Sequence, residues 1–394
     1  MKKAFILSVF VFVAALTGGC SPAQEEISSQ EVSVIKIIKP EHIPEFTNII
    51  TAFNEENTDI QVRFVDAPLA SGQRHQMYIS ALDGKDSSID IYWINDEWTQ
   101  EFVEEGYIVP LENGFKTPQE KYIVDASSMF SYDGRLYALP IGLDMNYIFR
   151  RSDIIGKLSG DWYGITSECS KASNGIIPVS AENSDTQDML FNIIEIKNAQ
   201  HCSYSEALMI YKEIVSDYYS SGGTAISFSS EFKTGNAVAM LGKASMRYRL
   251  NGNTSAVHGN VSMQQLPSGG ENRIICGYGL AINSNSKNKN AALRFMRFLN
   301  SKEAMRRLSR DCGVMPVIES LYDDDMVLDA NPYMRENLKE TVKNAASCGS
   351  YDISGESYRK IEEAFLKYFS DKQTAEETGA LLDSLLHKKE GDQK

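Results

Sequence analysis

Two hydrophobic periods alternate along this chain. Val32 to Ile38 is a β-branched run with strand character. After Pro40 and Pro44, Phe46, Ile49, Ile50 and Phe53 recur at i, i+3, i+4 and i+7, the spacing of one helix face. Ile60, Val62 and Phe64 then alternate with polar residues as a second strand. Ser71 is placed to cap the next helix, and Ile89 to Ile94 reads as a third strand. Asn95 or Asp96 would cap a helix running through Glu104 and stopping at Gly106. Repeated strand–helix units predict a largely parallel sheet with helices on both faces. Ligands of such sheets sit beyond the carboxyl ends of the strands, where strand order reverses. Lys39–Ile43 and Asn95–Trp98 are therefore the candidate site loops.

The N-terminus follows a different pattern. Met1-Lys2-Lys3 is a short positive start, and Ala4 to Leu16 is apolar except for Ser8. That run is too short to span ~30 Å of hydrocarbon as a helix, but it suits the core of a signal peptide. It ends in Leu16-Thr17-Gly18-Gly19-Cys20, which resembles the bacterial lipobox with Thr17 where Leu is more usual. The resemblance implies that residues 1–19 are removed and that Cys20 is lipidated; the alternative is a plain secretory signal with a chance Cys. Residues 20–30 then form a tether with almost no apolar side chain. Acyl chains at its start would hold an exported body at a bacterial membrane, facing the periplasm or the exterior. Nothing downstream reaches 18 consecutive apolar residues.

Composition narrows the function classes. The 394 residues are 42% hydrophobic, an ordinary globular content that predicts two or three compact units. Lys plus Arg number 39 against 53 for Asp plus Glu, a net charge of −14. With no basic face to release counterions from phosphates, a nucleic-acid partner is not expected. Beyond Cys20 stand Cys169, Cys202, Cys276, Cys312 and Cys348, with no CxxC or Cys/His spacing, so no metal site is expected. Export permits disulfides, with Cys169–Cys202 the first candidate, although spacing alone assigns none. GxSxG, HExxH, GxGxxG and GxxxxGK[ST] are all absent and the five histidines are dispersed, so neither enzyme nor cofactor is expected. Paired carboxylates leave a surface lipoprotein hydrolase as a remote alternative. The run Asp323-Asp324-Asp325 lacks EF-hand spacing and reads as a solvated loop, and Tyr218-Tyr219 closes an amphipathic helix from Ala207.

A series of short motifs follows in order. Asn57-Thr58-Asp59-Ile60-Gln61-Val62 enters the second strand, Ser88-Ile89-Asp90-Ile91-Tyr92-Trp93 forms the third, and Glu105-Gly106-Tyr107-Ile108-Val109-Pro110-Leu111 comes next. Asp133-Gly134-Arg135-Leu136-Tyr137-Ala138-Leu139-Pro140 is close to a D-G-K-x-Y-A-L-P pattern. Phe232-Lys233-Thr234-Gly235-Asn236-Ala237-Val238-Ala239-Met240 is similar to F-x-x-G-x-A-A-M. Gly277-Tyr278-Gly279-Leu280-Ala281-Ile282, then Ser286 to Ala292, then Gly313-Val314-Met315-Pro316 close the series. From about Val32 to Leu386 the chain thus resembles the family-one extracellular solute-binding proteins of ABC importers, the maltose-binding-like group.

That resemblance implies a type II periplasmic-binding-protein-like α/β fold, two lobes joined by three hinge crossings. The crossings fall near Pro140–Leu143, Gly277–Gly279 and Gly313–Val317. The N-lobe would combine 31–140 with 279–313, and the C-lobe 141–278 with 314–394. A solute held between the lobes would shift an open–closed equilibrium. The protein, as a monomer, would then present its sugar or oligosaccharide to the membrane subunits of an ABC permease. A sensor that engages a membrane receptor is the alternative.

Sugar sites combine aromatic faces with carboxylates and amides that satisfy hydroxyls. Trp93 and Asp96 match sugar-contacting positions of the maltose-binding-like group, although strand packing and helix capping would also account for them. Asn95 and Trp98 share their loop. Asp144 falls where that group carries a ligand-binding carboxylate; it and Asn146 could equally be turn residues. Glu41 and His42 follow the first strand, Glu182 and Asn183 follow Gly175–Ser180, and Tyr278 and Tyr351 complete the set. Ala244 stands where many sugar binders place a stacking Trp, and Arg150-Arg151-Ser152-Asp153 replaces a familiar Tyr-Asn-Lys-Asp. These departures leave a non-sugar solute open, with Tyr248 or Tyr278 as substitute aromatic faces.

Overall fold

A computed structural model gives the architecture of residues 32–39, 45–68, 71–111, 115, 120–181, 186–217, 231–267, 273–351 and 355–386. Chain contacts divide Met1–Glu31 from Val32–Lys394, and the described residues all lie in the second unit.

The opening third folds as its periodicity demands. β1 (Ser33–Lys39) pairs in parallel with β2 (Ile60–Asp66) on one side and β3 (Ile91–Asn95) on the other. Between β1 and β2, α1 (Phe46–Glu56) buries the four expected residues, Phe46, Ile49, Ile50 and Phe53. Phe53 meets Phe295 at 5.0 Å, and Phe295 lies on the helix Lys289–Leu299. Each buried ring of this kind is worth about 1.5–3 kcal/mol. α2 (Ser71–Asp83) begins at Ser71 itself, which is buried inside the helix rather than standing before it. After β3 the chain makes a 3-10 turn, Asp96–Trp98, and only then α3 (Thr99–Glu104).

Strands from distant parts of the sequence complete this sheet. α4 (Ala126–Met129) and the hairpin of β4 (Ser131–Tyr132) with β5 (Arg135–Leu136) lead into β6 (Ala138–Asp144). β11 (Ile274–Ile282) lies antiparallel to both β3 and β6, and β12 (Ala346–Ser347) runs parallel to the start of β11. Parallel pairing therefore holds among β1, β2 and β3 and between β11 and β12, whereas β6 and β11 enter from outside the βα units and β11 runs against β3 and β6.

The second sheet has the order β10-β7-β9-β8. It contains β7 (Asn146–Arg151), β8 (Ile177–Ala181), β9 (Ala237–Lys243) and β10 (Val261–Gln265). β8 and β9 are parallel and the other pairs antiparallel. α5 (Trp162–Ala172) precedes β8; α6 (Thr186–Gln200) and α7 (Tyr204–Ile214) follow it. A reciprocal cap fixes the start of α7, with Ser203 and Glu206 each satisfying the other's backbone N–H. Tyr218 and Tyr219 lie outside the described residues.

Met145 alone separates β6 from β7, so the chain leaves the first sheet for the second at that residue, whereas Pro140–Leu143 lies inside β6. Gly277–Gly279 likewise lies inside β11, a first-sheet strand. The third passage follows Gly313, which ends the helix Lys302–Cys312 at φ +68°. Its Met315 carbonyl accepts from the Leu143 N–H at 2.9 Å, which sets the first and third passages side by side.

The side chain of Asp324, in the acidic run, caps the helix Asp325–Ala330 and pairs with Arg306 at 2.8 Å. Cys169 and Cys202 are not bonded to each other; the five described cysteines are free thiols. Among the described residues no helix is long and apolar enough to cross a membrane.

Candidate functional site

The carboxyl end of β3 presents Asn95, Asp96 and Glu97. Asp96 does not cap a helix: its side chain turns to other segments of the chain. Its Oδ1 accepts from the Gly277 N–H at 2.8 Å and from the Cys348 thiol at 3.0 Å, and its Oδ2 accepts from the Ser347 hydroxyl at 3.3 Å. Burial pushes its carboxyl above the ordinary range, while the thiol and the Gly277 amide oppose the shift. Asn95 donates through Nδ2 to Ser71 Oγ at 3.2 Å and to Glu97 Oε1 at 2.7 Å, and its buried Oδ1 has no partner. Glu97 keeps part of its surface in solvent, yet enclosure of its carboxyl end and the neighbouring Asp96 charge push it up to about 7.

Asp144, the last residue of β6, is the centre of a second group. Its Oδ1 accepts from the Met145 N–H at 2.9 Å and the Ser245 N–H at 3.3 Å. Its Oδ2 accepts from the Tyr278 hydroxyl at 2.9 Å. Burial raises this carboxyl too, and the nearby Lys243 charge pulls the other way. Tyr278 stands opposite Asn95 in the β11–β3 register, so the two groups are neighbours on one sheet.

The second sheet supplies the remaining polar groups. Lys243, the last residue of β9, pairs with Asp188 of α6 at 2.6 Å, and both side chains are largely shielded from solvent. Asn146, opposite Lys243 in the β7–β9 register, donates to the Asp188 carbonyl at 3.4 Å. The Lys243 charge acts on Glu97, Asp144 and Tyr278 alike, which places the second-sheet ammonium among carboxylates of the first sheet and of α6. So much buried charge is tolerable only with partners.

The structure thus brings together Asn95, Asp96, Asp144, Asn146 and Tyr278 from the expected set. Trp93 is 2% exposed, packed on Phe46 at 5.8 Å and Tyr278 at 6.0 Å. Trp98 is buried against His75, Tyr78 and Phe102, with the Arg74 guanidinium over its ring. Both indoles pack inside the first lobe. Tyr351 is buried and hydrogen-bonded with Asn198, near the Glu195–Arg273 ion pair. Tyr248 lies over Gly313 and donates to the Arg310 carbonyl at 2.9 Å, which makes it part of the third passage. Glu41, His42, Glu182 and Asn183 lie outside the described residues.

Glu97, Asp188 and Lys243 were not expected from sequence. Lys243 had one available signal, as the first charged residue after the apolar run Ala237–Leu241 and next to the conspicuous Ala244. Glu97 lies within the candidate loop Asn95–Trp98 but was not singled out there, and Asp188 is one among 53 acidic residues and carried no signal.

The profile of the bacterial extracellular solute-binding protein family matches residues 48–335. A probable ABC transporter-binding protein of Deinococcus radiodurans is 21% identical over 360 residues, 79% of this chain and 81% of that protein. Maltose-bound MalE3 of T. maritima has a TM-score of 0.75 at 19% identity, covering 90% of this chain and 98% of that one. The GacH receptor of Streptomyces glaucescens, also solved in complex with acarbose, has a TM-score of 0.75 at 17% identity, covering 90% and 97%. These likenesses carry the fold, two α/β lobes of the type II periplasmic-binding-protein kind. With a match through most of its length and that fold, the chain belongs to the family of bacterial extracellular solute-binding proteins.

Proposed function

We propose that this protein is the solute-binding component of an ABC importer. It is held at a bacterial membrane by a lipid on Cys20 and captures a sugar or oligosaccharide between its lobes. One observation carries the reading: Asn95, Asp96 and Glu97 at the end of β3 face the same region as Asn146 and Lys243 of the second sheet and Asp188 of α6. Asp144 and Tyr278, on the strands nearest the passage, lie between them. Hydroxyls both donate and accept, so carboxylates, amides and an ammonium can satisfy a buried sugar from several sides. Tyr278 is the aromatic side chain bonded into this group, while Trp93 packs behind it in the core and Trp98 packs on His75 and Phe102. Capture closes the lobes, the closed form engages the permease, and no bond of the solute is made or broken.

A second reading follows from charge. Asp96, Glu97, Asp144 and Asp188 outnumber Lys243 in this group, so an amino group beside the hydroxyls would gain a charge-assisted bond.

A thermal-shift panel on the soluble body, stripped of copurified solute, tests both readings. The panel holds neutral mono- and oligosaccharides, amino sugars and amino acids. Solute at a hundredfold its Kd stabilises by about 2.7 kcal/mol, several degrees for a body of this size. A neutral-sugar response supports the first reading and a response confined to amino sugars the second. No response from any sugar overturns both.

A further inference from the structure

Cys276 and Cys348 are far apart in sequence but adjacent in the fold. β12 runs parallel to β11 with Ala346 opposite Ile274 and Ser347 opposite Ile275, and the next residue along each segment is a cysteine, Cys348 and Cys276. The two thiols are close enough to shift one another's ionisation. The Cys348 thiol lies 3.0 Å from Asp96 Oδ1 and 3.6 Å from Glu97 Oε2. The donor atoms of Asp96, Glu97 and Cys348 all fall within 4.8 Å of one another. One sulfur and two oxygen donors therefore converge where the end of β3 meets the end of β12, with the Cys276 thiol next to Cys348.

We propose that Cys276, Cys348, Asp96 and Glu97 form a binding site for a thiophilic divalent cation of the Zn2+ kind. Four donors of this mix suit the tetrahedral preference of Zn2+, and thiolates select it over Mg2+ and Ca2+. The supporting shell is in place without the ion. The Gly277 N–H and the Ser347 hydroxyl hold Asp96, and the Asn95 amide holds Glu97. Cys348 is 0% exposed, whereas Glu97 keeps solvent contact and offers the route in. Lys243, the neighbouring cation, is drawn towards Asp188. Each coordinating thiol gives its proton to solvent as its sulfur bonds the metal, so binding releases protons. The bound ion would tie the segment after β3 to the segment after β12, and this assignment does not depend on the solute class.

The test uses the reduced protein freed of metal with a chelator. Cd2+ is titrated while the ultraviolet cadmium–thiolate absorption is followed, and Zn2+ binding is measured by calorimetry in two buffers of different ionisation enthalpy. The expected result is one ion per chain, absorption from two thiolates and buffer-dependent heat. Cys348→Ser should abolish the thiolate band or reduce it to one ligand, and so should Cys276→Ser. Asp96→Asn should weaken binding roughly tenfold to a hundredfold. Cys202→Ser should change nothing, and melting curves of each variant check folding. Absence of a thiolate band in folded wild type, or a band that survives in the folded double variant Cys276→Ser/Cys348→Ser, overturns the assignment. So does a Cys276–Cys348 disulfide found by peptide mass spectrometry in protein isolated without reductant.

Discussion

Each carboxylate of the candidate site is set by what encloses it, and Glu97 shows this most clearly. Its carboxyl is pushed from 4.5 to about 7 by burial and by Asp96. A raised acid favours folding in its neutral form, so that contribution is complete below about 4.5 and fades as pH rises through about 7. The metal-free, solute-free protein should accordingly melt at a lower temperature at pH 8 than at pH 5.5. Glu97→Gln should flatten part of that slope; an unchanged slope in the variant would contradict the account. Asn95 and Asp96 could be found in sequence because polar residues directly after an apolar strand point to a site, whereas Asp144 and Asn146 rested on the family resemblance. Trp93 could not be resolved in the same way. All five residues of β3 are buried, so no alternation marks which face an indole takes.

Among the elements, α1 was legible to the residue because a helix with one solvated face writes its period into the chain. Phe53→Ala should cost about 3–5 kcal/mol, since it removes the ring packed on Phe295 and leaves a cavity; urea unfolding measures it. The start of α3 was misplaced by sequence because the Asp96 carboxylate, a natural cap, is claimed by Gly277 and Cys348. Those partners belong to segments remote in sequence, as do β6, β11 and the pairing of Cys276 with Cys348. Local pattern carries no such information. Gly313 supplies a test at this scale. A Cβ there would come within 2.0 Å of the Tyr248 ring at φ +68°, whereas at Gly106, φ +70°, it would meet open space. Gly106→Ala should lose about 1–2 kcal/mol from the left-handed backbone alone. Gly313→Ala should lose that and about 1–3 kcal/mol more from overpacking at the third passage. Equal losses in the two variants would mean that the contact with Tyr248 yields freely.

For the whole molecule, the order of strand and helix signals anticipated βα units around a largely parallel sheet, and the family resemblance supplied the two lobes and the passages between them. Gly and Pro mark bends without saying which strands continue through them. Gly277 and Gly279 turned out to sit within β11, with the Phe130 ring packed where their side chains would be. The functional claim also lives at this scale. If the solute is held between lobes, residues from both sheets must contribute to its affinity. Asp144 closes a first-sheet strand and Lys243 closes a second-sheet strand. Calorimetric titration of the best solute from the thermal-shift panel into wild type, Asp144→Asn and Lys243→Met tests this directly. Losing a hydrogen bond to a charged group costs about 1.5–3 kcal/mol, so each variant should bind at least tenfold more weakly. Wild-type affinity in both folded variants would contradict capture between the lobes.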